Sequence, residues 1–259
     1  MDNIKFKGAN IYFEVTGEGH KTPLVLLHGF LEDLSIWRNI IPELADTRQI
    51  ISIDLPGHGK SEAYGDVHNM GDMAEVVRDV LEELGLEKIS IAGHSMGGYV
   101  GLEFLNKFPM LLESIMLINS TPQNDSAERI RIRERSVELV HQNKEAYLSM
   151  AIGNLFTKEN RKRFSKEIEE LKTRANEMSA ESISAALTGM KIRTNLSYNL
   201  KKFDGQKMVL GGRLDPILDF SELKSLCRDI QAEFYALENG HMAYLEDVKK
   251  LTKIMHFID

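Results

Sequence analysis

The chain is poor in the residues that would cross-link it or carry it into a membrane. Cys227 is the one cysteine among 259 residues, which excludes an internal disulfide and any Cys-x-x-Cys metal or redox motif. No apolar run approaches the ~18 residues that a membrane-spanning helix needs. The segment that follows Met1 has no apolar stretch of signal-peptide length. We therefore expect a cytoplasmic protein with no membrane partner.

The chain also lacks the basic excess that is typical of nucleic-acid-binding proteins. It has 32 Lys and Arg against 39 Asp and Glu, a net charge of −7, which argues against a nucleic-acid partner. Its composition, 42% hydrophobic and 27% charged, is that of a globular protein. The charge is uneven, because residues 123–200 contain 14 basic and 11 acidic residues. This segment differs in character from the acidic remainder of the chain.

Apolar strands and helical periodicities alternate along most of the sequence. Residues 4–15 alternate as a β-hairpin does, and helical spacing occurs at 34–44, 71–84 and 243–257. Continuous apolar strands of the kind buried on both faces of a parallel sheet are predicted at Pro23–Leu27 and Gln49–Leu55. Further apolar strands are predicted at Ser114–Asn119, Lys207–Leu210 and Glu233–Leu237, and another begins at Ile89 and leads into Gly93. The pattern predicts an α/β fold with a mostly parallel central sheet and helices on both faces.

The strand signal disappears between Ser120 and Asn199, where the sequence has a helical period throughout. We therefore predict a core domain formed by residues 1–120 and 201–259, and a helical cap (lid) inserted at residues 121–200. Open α/β sheets place their sites at the carboxyl ends of the strands. We expect the cap to pack over that edge.

The sequence Gly93-His94-Ser95-Met96-Gly97 joins a predicted strand to a predicted helix. Glycine two residues to either side of the serine is what a sharp, strained turn requires, because a Cβ there would collide with its neighbours. The turn lifts the Ser95 hydroxyl off the sheet edge, beside the positive end of the new helix. Ser95 is therefore a candidate nucleophile.

A serine hydroxyl needs a base to activate it, and the base needs an acid to orient it. Asp215 follows the strand Lys207–Leu210, and His241 lies in a glycine turn after the strand Glu233–Leu237. Both come after Ser95, in the order Ser, Asp, His that this kind of turn predicts. Ser95, Asp215 and His241 together predict a catalytic triad.

Acyl transfer also needs two backbone N–H groups directed at the developing oxyanion. We assign one to Met96, which follows the nucleophile, and the other to Phe30, in the His28-Gly29-Phe30 loop after a strand. His28, His58 and His94 are interpreted as structural, since none is downstream of the nucleophile. Asp54 precedes Ser95 and is interpreted as organising the Pro56–Gly59 turn.

These residues resemble the α/β-hydrolase superfamily over essentially the whole chain. The resemblance rests on His28-Gly29-Phe30, Asp54-Leu55-Pro56-Gly57-His58-Gly59-Lys60-Ser61, Gly93-His94-Ser95-Met96-Gly97-Gly98, Asp215-Pro216 and Gly240-His241-Met242. It implies the α/β-hydrolase fold, Ser95 as nucleophile, His241 as general base and acid, Asp215 as its orienting carboxylate, and Phe30 and Met96 as oxyanion hole. The layout is similar to small carboxylesterases and enol-lactone hydrolases. It implies hydrolysis of a small-molecule acyl substrate without metal or organic cofactor, by a monomer or homodimer.

Two other functions stay open at this point. The Asp54–Gly59 stretch is also similar to the menaquinone-pathway synthase, a carbon–carbon lyase of this fold that has arginine where Tyr99 stands here. Five arginines of the predicted cap could bind an anionic substrate for such a reaction. They could instead be solvated charges paired with Glu128, Glu134 and Glu138. The five are Arg129, Arg131, Arg133, Arg135 and Arg193. The third hypothesis is a non-catalytic ligand-binding member of the fold.

Overall fold

A single sheet of eight strands forms the centre of the protein, in a computed structural model that describes residues 3–258. The strands are β1 (Asn3–Phe6), β2 (Ala9–Thr16), β3 (Leu24–Leu27), β4 (Ile50–Ile53), β5 (Ile89–His94), β6 (Leu112–Ile118), β7 (Gln206–Gly212) and β8 (Glu233–Leu237). Their order across the sheet is β1-β2-β4-β3-β5-β6-β7-β8. β1 and β2 form the predicted hairpin, and β2 pairs antiparallel with β4. Every other pairing is parallel.

The central strands are buried on both faces. Every residue of β3, β4 and β5 is buried, and successive side chains of a strand point to opposite faces. Helices must therefore cover the sheet on both sides, which confirms the predicted α/β class. Because these strands are parallel, their carboxyl ends meet at one edge, where the loops after β3, β5, β6, β7 and β8 converge.

The described chain has twelve α-helices, of which the last two follow β8. They are α1 (Ile41–Leu44), α2 (Met70–Leu84), α3 (Met96–Lys107), α4 (Ala127–Gln142), α5 (Lys144–Gly153), α6 (Lys158–Arg163), α7 (Ser165–Ala175), α8 (Ala180–Lys191), α9 (Ser197–Lys202), α10 (Phe220–Asp229), α11 (Ala243–Glu246) and α12 (Val248–Met255). No helix within residues 3–258 has the length and apolarity needed to span a membrane.

Two predicted helices are broken in the structure. The helical period at 34–44 becomes a 3-10 turn at Leu34–Trp37 followed by α1, because Pro42 has no N–H with which to continue the first turn. The terminal helix expected over 243–257 divides into α11 and α12 at Asp247. The Asp247 carboxylate instead accepts hydrogen bonds from the backbone and side chain of Asn239, at 2.9 and 3.0 Å.

The segment between β6 and β7 contains the six helices α4–α9. It contacts the sheet side of the molecule at several points, including a hydrogen bond from His68 N–H to the Ala185 carbonyl of α8 at 3.1 Å. A Cβ on Gly189 would lie 1.8 Å from the His68 carbonyl oxygen, so only glycine allows this close approach. The division into a core domain and a cap at 121–200 stays a prediction. Its outer bounds, residues 1 and 259, lie outside the described residues.

Candidate active site

Ser95 lies at the sharp turn between β5 and α3. Its backbone has φ 49° and ψ −112°, a conformation that residues other than glycine rarely adopt. The Ser95 N–H donates to the Ile118 carbonyl at 2.9 Å, and the Ser120 hydroxyl donates to the Ser95 carbonyl at 2.8 Å. These bonds to the end of β6 hold the strained turn in place.

Close backbone packing explains the glycines that flank Ser95. A Cβ on Gly93 would lie 2.4 Å from the carbonyl of Gly97, and a Cβ on Gly97 would lie 2.3 Å from the carbonyl oxygen of Leu27. Both contacts are far shorter than real Cβ atoms make. The steric explanation of these two glycines is confirmed: α3 begins directly against the ends of β3 and β5.

The structure brings Ser95, His241 and Asp215 together from three distant parts of the chain. His241 Nε2 lies 3.0 Å from Ser95 Oγ, and His241 Nδ1 lies 2.9 and 3.1 Å from the two carboxylate oxygens of Asp215. Because Nδ1 faces a carboxylate, it carries the proton and donates, which leaves Nε2 to accept from the Ser95 hydroxyl. Both the His241 and the Asp215 side chains are almost fully buried, at 3% and 2% exposed. This arrangement allows His241 to take a proton from Ser95.

Three further donors hold Asp215 in its ionised form. Asn119 Nδ2 donates to one carboxylate oxygen at 2.9 Å, and the backbone N–H groups of Ile217 and Leu218 donate to the other at 2.7 and 3.1 Å. Burial by itself raises the pKa of Asp215, but the His241 ring and the hydrogen bonds from His241, Asn119 and Ile217 outweigh it and lower that pKa. Asn119 was not predicted, since its only signal in the sequence is a polar residue directly after a buried strand.

A buried charge pair supports the loop that carries His241. His94 Nδ1 lies 3.0 Å from a Glu32 carboxylate oxygen, and His94 Nε2 lies 2.9 Å from the His241 carbonyl oxygen. Both ring nitrogens face acceptors, so both carry protons and His94 is an imidazolium. Burial disfavours both charges, yet each partner's charge and their hydrogen bond raise the pKa of His94 and lower the pKa of Glu32.

Glu32 also connects this pair to the loop after β3. Its carboxylate accepts from the Gly29 N–H at 2.6 Å and from the Tyr244 hydroxyl at 3.3 Å. Glu32 was not predicted, because its partner His94 is 62 residues away in the sequence. His94 has a structural role as expected, and that role extends to the His241 backbone.

The two residues assigned to the oxyanion hole lie at the same edge of the sheet. Met96 is the first residue of α3, so its N–H belongs to the first helical turn, which has no acceptor within the helix. Phe30 follows β3, and its side chain lines the same cavity as Ser95 and His241.

His28 and His58 hold loops rather than approach Ser95. His28 Nε2 accepts from the Leu55 N–H at 2.9 Å, so its Nδ1 carries the proton and donates to the Gly29 carbonyl at 2.7 Å. His58 Nδ1 lies 3.0 Å from the Pro56 carbonyl oxygen, and burial lowers the pKa of His58 to about 3. Both rings are therefore neutral braces of the loops after β3 and β4.

Asp54 organises the turn after β4, as its position in the sequence predicts. Its carboxylate accepts from the N–H groups of Leu34 and Lys60, both at 2.8 Å. A Cβ on Gly59, which has φ 54°, would lie 2.2 Å from the same carboxylate. Each carboxylate oxygen of Asp54 thus accepts a hydrogen bond from a backbone N–H of the loops around it.

A cavity of about 200 Å³ opens over Ser95 and His241. Much of its wall is apolar and comes from the inserted helices, with Tyr147 and Met150 on α5 and Leu187 and Met190 on α8. The cavity is smaller than the roughly 300–1,000 Å³ of sites for drug-sized ligands. The site is therefore shaped for a small molecule.

Two of the arginines named above, Arg129 and Arg133, line this cavity from α4. Arg133 forms an ion pair with the buried Asp125 at 2.5 Å, and Arg193 forms another with the same carboxylate at 2.7 Å. Arg131 and Arg135 are exposed. The interpretation of all five as solvated charges paired with helix glutamates is therefore wrong for Arg133 and Arg193, whose acidic partner is Asp125.

Cys227 lies buried on α10, where burial raises the pKa of its thiol to about 12. It is therefore a packing residue. Within residues 3–258, no group of three or more His, Cys, Asp or Glu side chains is placed to hold a metal ion.

Comparison with known proteins shows the family of this chain. The model of the alpha/beta hydrolase fold family matches residues 22–248. An esterase structure from Thermogutta terrifontis, solved with malate bound, superimposes with a TM-score of 0.90 at 28% identity, covering 98% of this chain and 95% of that one. The enol-lactonase of Burkholderia xenovorans LB400 also gives a TM-score of 0.90, at 19% identity, covering 98% of each chain.

A curated relative matches over a shorter segment. The dihydrolipoyllysine-residue acetyltransferase component of the acetoin cleaving system of Pseudomonas putida is 43% identical over 109 residues, which are 42% of this chain and 29% of that protein. The chain thus spans less than a third of that relative's length. The family match, in contrast, extends over most of the chain, from the strand before the predicted oxyanion loop to the start of the last helix. The chain therefore belongs to the alpha/beta hydrolase fold family.

Proposed function

We propose that the protein is a serine hydrolase that cleaves a small ester-type or related acyl substrate. The observation that carries this proposal is the hydrogen-bonded series from Ser95 Oγ through the His241 ring to Asp215, at the wall of a small cavity. A hydroxyl, a neutral imidazole and a buried carboxylate in this order are the groups that acyl transfer needs.

The reaction begins when Ser95 Oγ attacks the substrate carbonyl and gives its proton to His241 Nε2. The N–H groups of Phe30 and Met96 donate to the oxyanion that forms. His241 then protonates the leaving alcohol as the carbon–oxygen bond breaks, which leaves an acyl group on Ser95. Water attacks the acyl group with His241 again as base, and release of the acid restores Ser95. Asp215 stays ionised throughout and stabilises the imidazolium.

The similarity to the Thermogutta terrifontis esterase supports this class of reaction, because it extends over 98% of the chain at 28% identity. That esterase was solved with malate, a small dicarboxylate, bound. The small cavity of this chain agrees with an acyl substrate of similar size.

A second candidate is a carbon–carbon lyase or hydrolase that uses the same triad on an anionic substrate. Arg129 and Arg133 favour it, since both line the cavity that contains Ser95. Tyr99, where the similar synthase has arginine, lies under the Arg193 guanidinium at 4.0 Å from its ring centre. Arg193 pairs with Asp125 and is not part of the cavity wall, so Arg129 and Arg133 are the arginines that face the cavity.

Hydrolysis of p-nitrophenyl esters from C2 to C12 tests the proposal. We expect the shortest acyl chains to give the highest kcat/KM, because the cavity measures about 200 Å³. Ser95→Ala should lower kcat by several orders of magnitude, since triad members act as a unit. Ser221→Ala, a change at an exposed serine of α10, is the matched control and should hydrolyse the esters as the wild type does.

A Ser95→Ala protein that keeps most of its esterase activity would contradict the proposal. If the wild type reacts with a fluorophosphonate but turns over no ester, the triad is active and the lyase candidate moves ahead. Slow single-turnover behaviour with every substrate would support the third hypothesis, a ligand-binding member of the fold.

A further inference from the structure

We infer that α4 provides a carboxylate-binding subsite centred on Arg129, so that the substrate is an acyl compound with a second, anionic group. The inference rests on the proposed function for the reaction at Ser95. It adds the chemical class of the substrate, which the triad alone does not specify.

One face of α4 forms a wall of the cavity. Arg129, Ile132, Arg133 and Ser136 all line it, at positions i, i+3, i+4 and i+7, which lie above one another on a helix. Ser95 lines the same cavity. Because the cavity is only about 200 Å³, one small ligand can reach both Arg129 and Ser95.

The Arg129 guanidinium is anchored at one nitrogen and has no anionic partner. Its Nη2 donates to the Ile217 carbonyl at 2.6 Å, in the loop that also holds Asp215. Across residues 3–258, no carboxylate is within ion-pair distance of Arg129, which is half-buried. A guanidinium has five N–H donors and stays charged, so most of its donors are available to a ligand. Two parallel N–H groups fit a carboxylate in bidentate fashion.

The other charges around the cavity reinforce its preference for anions. Arg133 and Arg193 share the single carboxylate of Asp125, which leaves one positive charge in that cluster uncompensated. Glu32, the acidic side chain in the cavity lining, is matched by the imidazolium of His94. The wall formed by α4 is therefore cationic. A neutral substrate would partly desolvate Arg129 without replacing its lost hydrogen bonds.

The substrates that fit are esters in which a carboxylate lies a few bonds from the scissile carbonyl. Half-esters of short dicarboxylic acids place the carboxylate on the acyl side. Hydroxy acids that are acylated on their hydroxyl place it on the alcohol side. In both cases water is added across the ester bond, and the products are an acid and an alcohol.

Paired substrates that differ only in charge test the inference. Monomethyl succinate carries a carboxylate where methyl succinamate carries an uncharged amide of nearly the same shape. Acetoxyacetate and its amide test the alcohol side in the same way. We expect wild-type kcat/KM to favour the carboxylate of at least one pair by about tenfold or more, the effect of a charged hydrogen-bond pair.

Arg129→Gln should lower this carboxylate-to-amide ratio of kcat/KM about tenfold or more. The ratio cancels any general loss of activity in the variant. Arg131→Gln removes an exposed arginine from the same helix and should leave the ratio at its wild-type value. A comparison of inhibitors uses the wild type alone: succinamate, which carries one carboxylate, should inhibit p-nitrophenyl acetate hydrolysis at a concentration about tenfold lower than succinamide, which carries none.

The inference is overturned if the wild type hydrolyses both members of each pair equally well, or if Arg129→Gln keeps the wild-type ratio. In that case, Ser95-dependent cleavage of the ester bond in the amide-bearing substrates would show that the proposed function stands without the subsite. If Ser95→Ala and the wild type hydrolyse the esters alike, the proposed function itself has failed.

Discussion

At the scale of single residues, the Glu32–His94 pair connects separate loops of the site. It joins the loop after β3, through Gly29, to the backbone of His241. Both side chains are almost fully buried, at 2% and 1% exposed, so their charges are held against a desolvation cost. Removal of either charge would leave the other buried without a partner, so a change at one of these residues should measurably lower stability, with a pH dependence that identifies the pair.

Glu32→Gln keeps the shape of the side chain and removes its charge, and we expect it to lower the free energy of unfolding by roughly 1–3 kcal/mol near pH 5.5. The Glu32 pKa is lowered from 4.5, so its contribution is present above pH 4.5 and is lost as pH falls through the folded-state pKa. The His94 pKa is raised from 6.5, so its contribution is present below pH 6.5 and is lost as pH rises through the folded-state pKa. The difference between the two proteins should narrow at alkaline pH.

Urea unfolding across pH 5.5 to 9.5 measures this difference. Glu238→Gln is the control, because Glu238 pairs with Lys250 on the surface and should contribute nothing measurable. A Glu32→Gln protein as stable as the wild type at pH 5.5, or equally weakened at every pH, would show that the pair is not charged in the folded state.

The site residues that could be predicted from the sequence are those that follow strands in a fixed order. Ser95, Asp215 and His241 were predicted because each follows a strand and each has a chemistry of its own. Glu32 and Asn119 were missed because their roles depend on partners 62 and 96 residues away. Contacts of that kind follow from the order of strands in the sheet, which no local pattern specifies.

At the scale of secondary-structure elements, the site depends on how closely α3 approaches β3. Gly97 is the contact point, since a Cβ there would lie 2.3 Å from the Leu27 carbonyl oxygen. That approach places the Met96 N–H and the loop with Phe30 at one edge of the sheet. A side chain at position 97 would push the two elements apart.

We expect Gly97→Ala to lower the free energy of unfolding by about 1–3 kcal/mol, the usual cost of overpacking. Gly153→Ala is the matched control, because a Cβ at the end of α5 would meet nothing within 4 Å. That variant should be as stable as the wild type, or more stable by roughly 0.4–1 kcal/mol. Urea unfolding of both proteins measures the effects, and equal stability of the two would refute the steric explanation of Gly97.

The elements themselves were predictable where one local signal dominates. The apolar strands and helix α2 lie close to their predicted ranges, and Gly85 ends α2 in a left-handed conformation at φ 65°. The predicted helices at 34–44 and 243–257 were wrong in their continuity. Pro42 and Asp247 interrupt them, and the apolar period that predicted each helix runs on through the break.

At the scale of the whole molecule, the sheet brings the loops that carry the site residues together at one edge. Residues 28–32, 95, 119, 215 and 241 come from five separate loops, and all follow strands β3, β5, β6, β7 and β8 at one edge. The inserted helices add the apolar wall and the arginines of α4. The central claim is that this assembly activates one serine, Ser95, through His241.

Mass spectrometry of the fluorophosphonate-labelled protein tests that claim most directly. Trypsin cuts after Lys88 and Lys107, so Ser95 lies in the peptide 89–107, and fragmentation separates it from the buried Ser90. We predict an adduct on Ser95, formed at least about a hundredfold more slowly in His241→Ala, the contribution expected of a general base. An adduct on another serine, or an equal rate of labelling in His241→Ala, would contradict the account.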